Sequence, residues 1–264
     1  MSIKKDLTLI CSTCDEYSSL WPGFFTLLKR YWPDFDCDVI LNTESKKFTF
    51  EGFNILTPHQ NKFNLSWSMR LLKSLEEVKT EYVLLMLDDF YLKSFVNTTE
   101  ITHCLEIMTK NDSIKSFVFA WQPGPNKSSR FNSYEQRGRF APYRVNAQIG
   151  IWSVKYLKKI IREKETPWQF EVNGSFRSSI LGGKLFSIKK NEIKVFDYDY
   201  GFLVIKGKLN KKIVDYFSQI EKINFDLNFD YYIDSDEKIL VNSQFRWLKY
   251  IKYAYQMIIS LTSK

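Results

Sequence analysis

The chain has 264 residues, 44% of them apolar and 26% charged, an ordinary globular composition and a length that suits one large domain or one domain with a small appendage. No apolar run approaches the ~20 residues that a membrane-spanning helix needs. The formal charge of +8 favours anionic partners, but lysine outnumbers arginine and no run of five basic residues occurs, so nucleic acid is not the expected partner.

From the N-terminus, "LTLICST" (7–13) reads as a buried strand and "SLWPGFFTLLKRYW" (19–32) as a helix after a turn. "DVILNT" (38–43) and "FNILTP" (53–58) are the next two strands. "NLSWSMRLLKSLEEVKT" (64–80) has a helical period that puts Leu65, Met69, Leu72, Leu75 and Val78 on one side. "YVLLML" (82–87) is a fourth strand, apolar on both faces, as in parallel sheets covered by helices. A helix over 98–110 and a strand over 113–121 complete a β-α-β-β-α-β-α-β order, which predicts an open α/β sheet. The stretch 122–144 is rich in Pro, Gly, Ser, Asn and Arg and predicts a long loop: either a lid or binding loop in which Arg130, Arg137, Arg139 and Arg144 are available to an anion, or a mobile segment with solvent-exposed arginines. A strand (145–153), a basic helix (154–165), a helix opening at Pro167 (167–181) and terminal strands or hairpins follow.

Four cysteines stand at 11, 14, 37 and 104. Cys11 and Cys14 have the C-x-x-C spacing, yet there is no second pair and Cys11 lies within a predicted strand, so structural thiols are expected. The opening "MSIKKDLTLICST" does not read as a signal peptide, which predicts a cytoplasmic protein with reduced thiols. Aromatic residues make up 17% of the chain, enough to supply core and also flat walls on which a base or sugar ring can stack.

The most informative stretch is "EYVLLMLDDFYL" (81–92), where a buried strand ends in adjacent carboxylates, Asp88 and Asp89. Ligands of open α/β sheets collect at the carboxyl ends of the strands. Two adjacent acids repel one another and call for a partner; Mg²⁺ or Mn²⁺ bridging to a diphosphate satisfies them well, and a turn with solvated acids is the alternative.

In this order the sequence resembles bacterial glycosyltransferases of the GT-A fold, nucleotide-sugar-dependent enzymes of capsule and lipopolysaccharide synthesis. The pieces that carry the resemblance are "CSTCDEY" after the first strand, "WSMRLLKSLEEVKTEYVLLMLDDFYL", "NAQIGIWS" and "TPWQFE", together covering about residues 5–210. The family's Asp-x-Asp metal motif is altered, because Phe90 stands where a second carboxylate after Asp88 would fall. The resemblance implies a GT-A-like open, mostly parallel sheet flanked by helices, with residues 1–210 as the catalytic unit and 211–264 as a helical extension. It further implies a metal at Asp88 and Asp89, and donor contacts from Thr13, Asp15, Glu44 and Asp88, with Ser68 and Arg70 either facing the donor or lying on a solvated helix face. The acceptor side would use Gln148, Trp152 and Trp168, with Glu171 as the base of an inverting reaction. Glu171 in a first helical turn equally suits simple complementation of the helix dipole, and Trp152 equally suits a core.

Residues 246–264 predict a C-terminal amphipathic helix, with Trp247, Ile251, Ala254, Ile258 and Leu261 on one face and Lys249 and Lys252 opposite. Such a helix can lie on an anionic membrane, placing the protein on the inner face of the cell membrane beside a lipid-linked saccharide acceptor, or it can pack on the core or on a second subunit of a homo-oligomer. Two rival functions share these features: a metal-dependent phosphohydrolase or nucleotidyltransferase, and a non-catalytic saccharide- or nucleic-acid-binding module.

Overall fold

The computed structural model describes residues 3, 5–58, 65–198, 203–205, 207–225 and 230–232. The predicted C-terminal helix over 246–264 lies outside the described residues.

The first half alternates strands and helices. β1 (Leu7–Ser12) leads through a 3₁₀ turn (Asp15–Leu20) into α1 (Trp21–Tyr31), followed by β2 (Asp38–Asn42), β3 (Ile55–Leu56), α2 (Trp67–Glu77), β4 (Tyr82–Leu87), α3 (Thr98–Lys110) and β5 (Ile114–Val118). The second half contains β6 (Asn126–Lys127), β7 (Tyr134–Arg137), β8 (Gly150–Ser153), α4 (Val154–Ile160), α5 (Pro167–Gln169), a π turn (Phe170–Gly174), α6 (Ser175–Leu181) and β9 (Lys184–Ile188). β10 (Val204–Ile205), β11 (Lys208–Asn210), α7 (Lys211–Gln219) and β12 (Tyr231–Tyr232) complete the described elements. Local chemistry sets the helix starts. Ser66 caps α2 by accepting from the Met69 N–H, Asn97 caps α3 by accepting from Glu100, and Thr166 forms a reciprocal capping box with Gln169 ahead of Pro167.

The main sheet has nine strands in the order β3-β2-β1-β4-β8-β5-β9-β7-β6. From the pairings, β7 and β8 run against the other seven, so the sheet is open and mostly parallel. Helices cover both faces, which explains why all six residues of β1 are buried. Along β4 the side chains alternate between two cores. Tyr82, Leu84 and Met86 pack with Phe24, Phe25, Ile101 and Cys104 of α1 and α3, while Val83 and Leu85 pack with Leu71, Leu75, Leu157 and Ile160 of α2 and α4. The small sheet β10-β11-β12 and α7 add Leu203, Leu209, Val214 and Phe217 to the first of these cores.

Several predicted boundaries shrink. The strand expected over 145–153 forms only at Gly150–Ser153, the one over 113–121 at Ile114–Val118, and the one over 53–58 at Ile55–Leu56. The buried stripe of α2 passes through Ser68, Arg70, Leu71, Ser74 and Leu75, not Met69 and Leu72, because small serines and a hydrogen-bonded arginine face the sheet.

The larger correction concerns 122–144. It is not an open loop: β6 and β7 form an antiparallel hairpin that extends the sheet edge along β9. Arg137 and Arg144 are 1% and 2% exposed. Arg137 donates to the carbonyls of Gln122, Pro123 and Pro142 and to Asn126 Oδ1. Arg144 donates to Ser178 Oγ at 2.8 Å, to the carbonyls of Arg137 and Gly138 at 2.8 and 3.0 Å, and to the Gly183 carbonyl at 2.5 Å. The backbone of an irregular segment needs buried donors, and these two guanidinium groups supply them. Arg144→Met, which keeps volume but removes four hydrogen bonds from a buried segment, is expected to lower stability by about 2–4 kcal/mol in urea unfolding. A solvated loop arginine would leave the midpoint unchanged.

Candidate active site

Three parallel strands bring the site together. Ser12 at the end of β1 is in register with Asn42 of β2 and Leu87 of β4, so the residues that follow them leave the sheet side by side at its carboxyl edge. Thr13 thereby reaches Asp88: its Oγ1 donates to Asp88 Oδ2, while the indole Nε1 of Trp21 donates to Thr13 Oγ1 at 2.8 Å. Asp88 is 5% exposed. Burial pushes its carboxyl up to about 8, the charge of Asp89 adds to the shift, and the Thr13 and Trp21 hydrogen bonds oppose it. Burial likewise pushes Asp89 up to about 6, against hydrogen bonds from its own backbone and that of Val204. Asp89 Oδ1 is buried with no hydrogen-bond partner. Among the described residues, no group of three or more His, Cys, Asp or Glu is placed to hold a metal. Phe90 turns inward at 1% exposure and packs on Tyr198, with ring centroids 4.7 Å apart.

A second cluster adjoins the first. Asp15 accepts the amides of Glu44, Ser45 and Lys46 and the Ser45 hydroxyl. Burial raises its carboxyl, but those hydrogen bonds together hold it below the ordinary carboxylate value. In return the Asp15 N–H donates to Glu44 Oε2 at 2.9 Å. Arg70 pairs with Glu44 Oε1 at 2.9 Å and donates to the Thr13 carbonyl at 3.2 Å, which ties α2 to the ends of β1 and β2. Ser68 does something different: its Oγ accepts from the Glu165 N–H at 2.8 Å and so pins the approach to α5.

The third element enters from the opposite direction. β8 runs against β4, with Gly150 opposite Leu85, so the chain entering β8 comes in beside the chain leaving β4. Gln148 in that segment accepts from the Tyr198 hydroxyl at 2.8 Å. Next to it, the Ala147 N–H donates to Glu171 Oε1 at 2.9 Å. Burial raises the Glu171 carboxyl above its ordinary value, partly offset by this hydrogen bond. Glu171 lies in the π turn, and Trp168, three residues earlier, is 74% exposed. A buried ion pair holds this helical stretch: Arg177 meets both oxygens of Glu165, at 2.9 and 2.6 Å, and Asn173 donates to Glu165 Oε1 at 3.0 Å.

The fold thus gathers Thr13, Asp15, Glu44, Arg70, Asp88 and Asp89 at the carboxyl edge of β1, β2 and β4. Gln148, Trp168 and Glu171 lie on the segments that enter from β8 and α5. Trp152 is apart: it is fully buried and packs in the core between the sheet and α4. The four cysteines are free, and burial raises the Cys11 and Cys14 thiols, in keeping with structural roles. Sequence reasoning missed Trp21, Ser45, Tyr198 and the Glu165–Arg177 pair. The T-x-x-Q box at Thr166 was the only local signal that the approach to α5 is fixed.

No family model matches the chain, and no curated protein does. Among solved structures, the chain is similar to Staphylococcus aureus TarS 1–349, with TM-score 0.46 and 11% identity over 71% of this chain and 59% of that one. The chain therefore spans less than two thirds of the length of that fragment. It is also similar to glucosyl-3-phosphoglycerate synthase from Mycobacterium tuberculosis, crystallised with Mn²⁺ and UDP-glucose, with TM-score 0.44 and 9% identity over 74% and 71% of the two chains. A third likeness is to CMP:2-keto-3-deoxy-manno-octonic acid synthetase complexed with CTP, with TM-score 0.38 and 10% identity over 72% and 93%.

The raised carboxyls have a consequence for stability. Asp88 binds a proton more tightly folded than unfolded, with about 8 against 3.8, so from about pH 4 to pH 8 the folded state holds the extra proton and stability falls as pH rises. Asp89 acts in the same direction between 3.8 and about 6. In chelator-treated protein, Asp88→Asn is expected to flatten this slope and to raise Tm at pH 8 by at least about 4 °C relative to wild type. Thermal scans of both proteins at pH 5 and pH 8 test it, and parallel pH profiles would contradict the assignment.

Proposed function

We propose that the chain is a glycosyltransferase that moves a sugar from a nucleotide diphospho-sugar, with a UDP-sugar as the expected donor, to a saccharide or lipid-linked saccharide acceptor in the synthesis of a cell-surface glycan. Residues 1–210 form its catalytic unit in this reading and 211–264 its extension. The observation that carries the proposal is the pair Asp88/Asp89 at the mouth of an open α/β sheet, Asp88 buried and Asp89 half-buried with one buried, orphaned oxygen. Among the described residues no cationic side chain accounts for their burial. Hard oxygen donors of this kind fit Mn²⁺ or Mg²⁺, which typically takes one or two carboxylates and completes its shell with water and substrate phosphates. Bound there, the ion would supply neutralisation of the leaving diphosphate.

The chain's own residues take the remaining roles. Thr13 orients Asp88, and the Asp15–Glu44–Arg70 cluster shapes the wall against which the nucleoside is held. Ser68 serves that wall indirectly, through Glu165. Glu171 takes the proton of the acceptor hydroxyl at Oε2, since Oε1 is occupied by the Ala147 N–H. Its raised carboxyl makes it a better base than a solvated glutamate. Gln148 and Trp168 flank it on the acceptor side. With Glu171 as base and Gln148 and Trp168 as acceptor wall, this reading favours transfer with inversion over simple phosphoester hydrolysis, which would need no such wall.

Isothermal titration with UDP and GDP, with and without Mn²⁺, tests the donor site. One nucleotide is expected to bind only with the metal, and Asp89→Asn to weaken that binding at least about tenfold. Binding of neither nucleotide under any condition would remove the proposal. Glu171→Gln is expected to leave nucleotide affinity intact and to slow sugar transfer to membrane-fraction glycans by about 10²–10⁴-fold. A matching loss of donor affinity would instead make Glu171 a structural residue.

A further inference from the structure

Of the nine large hydrophobic residues that are notably exposed among the described residues, five lie in two short segments: Phe140 (77%) and Tyr143 (42%) in one, and Trp168 (74%), Ile180 (55%) and Leu181 (46%) in the other. The two segments run antiparallel to each other. Arg139 Nε donates to the Ser179 carbonyl, Arg144 Nε to Ser178 Oγ, the Val145 N–H to Ser175 Oγ, and the Ala147 N–H to Glu171. Trp168 and Ile180 also share a face. Counting the π turn as one inserted residue, they are about eleven α-helical steps apart, close to three full turns and roughly 17 Å along the axis. The frame is rigid, since Arg144 is clamped by four hydrogen bonds. Tyr143 is held outward at a left-handed φ of 50°.

A water-facing surface does not ordinarily gather five such residues, so an occupant is called for, and charge identifies it. Across 136–147 there is no acid, and across 166–184 the only one is Glu171, whose carboxyl turns inward to Ala147. Arg139 and Lys184 are exposed at the margin, and the chain as a whole carries +8. Exposed Trp, Tyr and Phe together with Ile and Leu, free of outward acids and edged by basic groups, match an anionic lipid surface: aromatic rings at headgroup level, aliphatic tips in the acyl boundary, cations on lipid phosphates.

We propose that this face, formed by 139–143 and the exposed side of the helical stretch 167–181, docks the protein on an anionic bilayer, with Glu171 at its edge. The docking does not depend on the transferase reading. It presents the acceptor side of the site to the membrane surface, where an amphiphilic acceptor would be found.

The test is co-sedimentation of the full chain with vesicles of phosphatidylcholine alone or mixed with phosphatidylglycerol. Wild type is expected to bind the mixed vesicles, more weakly at high salt, and the triple variant Phe140→Ser/Ile180→Ser/Leu181→Ser to bind at least about tenfold less. All three side chains are exposed, and circular dichroism and thermal unfolding verify that the variant folds. Failure of wild type to bind overturns the proposal, as does a variant that binds like wild type, which would assign membrane contact to other residues. A wild-type dimer that the triple substitution converts to monomer, with vesicle binding unchanged, would make a second copy the occupant and overturn it too. Titration of the same preparations with UDP and Mn²⁺ reads the donor site separately, so failure of the transferase reading would appear there and not in the sedimentation.

Discussion

Two adjacent carboxylates, one buried and the other half-buried, are costly to keep at the end of a strand, and much of the molecule around them is arranged to keep them. Each loses hydration, and each raises the cost of ionising the other. The chain could relieve this by turning Asp88 to solvent; instead Thr13, itself held by Trp21, fixes Asp88 in place. Phe90 turns into the core and packs against the tilted ring of Tyr198, which anchors the chain leaving β4. A folded state that holds two such groups without a described cationic partner keeps them as weak acids, Asp88 pushed up to about 8 and Asp89 to about 6.

The same constraint explains the layout of the edge. Because β1, β2 and β4 are parallel and in register, their last residues arrive together, and each contributes a polar group without a long loop. Asp15, Glu44 and Arg70 then lock those ends to each other and to α2. The lowered carboxyl of Asp15 beside the raised carboxyls of Asp88 and Asp89 is the telling contrast. The first has all the donors an ionised acid needs. The other two do not.

How much of this was legible in the sequence follows the range of the interactions. The alternation of buried strands with helices, and the carboxylate pair at the end of β4, are local patterns of apolar periodicity and adjacency, and they read directly. The 122–144 segment did not, because its order comes from Arg137 and Arg144 reaching backbone carbonyls, and arginines in a Gly/Pro-rich stretch look the same whether buried or solvated. Trp152 read equally as wall or core; only the antiparallel insertion of β8 between β4 and β5 decides that it faces α4. The buried face of α2 was misjudged for a related reason, since Ser68, Ser74 and Arg70 lie inward where the apolar period pointed to Met69 and Leu72.

The placement of Glu171 depends on one irregular helical turn and its supports. A glutamate in an ordinary helical turn would be free to face water. Here the turn is a π turn, whose irregular spacing needs support from outside the helix. That support comes from Glu165 and Arg177, a bidentate pair spanning it, with Asn173 donating from within the turn itself. Exchanging such a pair for apolar residues of similar volume is often neutral or stabilising elsewhere, so stability alone gives little reason to bury it. What the pair does here is fix the phase of the helix so that one carboxylate oxygen of Glu171 meets the Ala147 N–H. Its exposed neighbour Trp168 is brought onto the face of Ile180 by the same turn. The carboxyl of Glu171 and the exposed ring of Trp168 are thus both placed by one irregular turn, braced by a largely buried pair of charges.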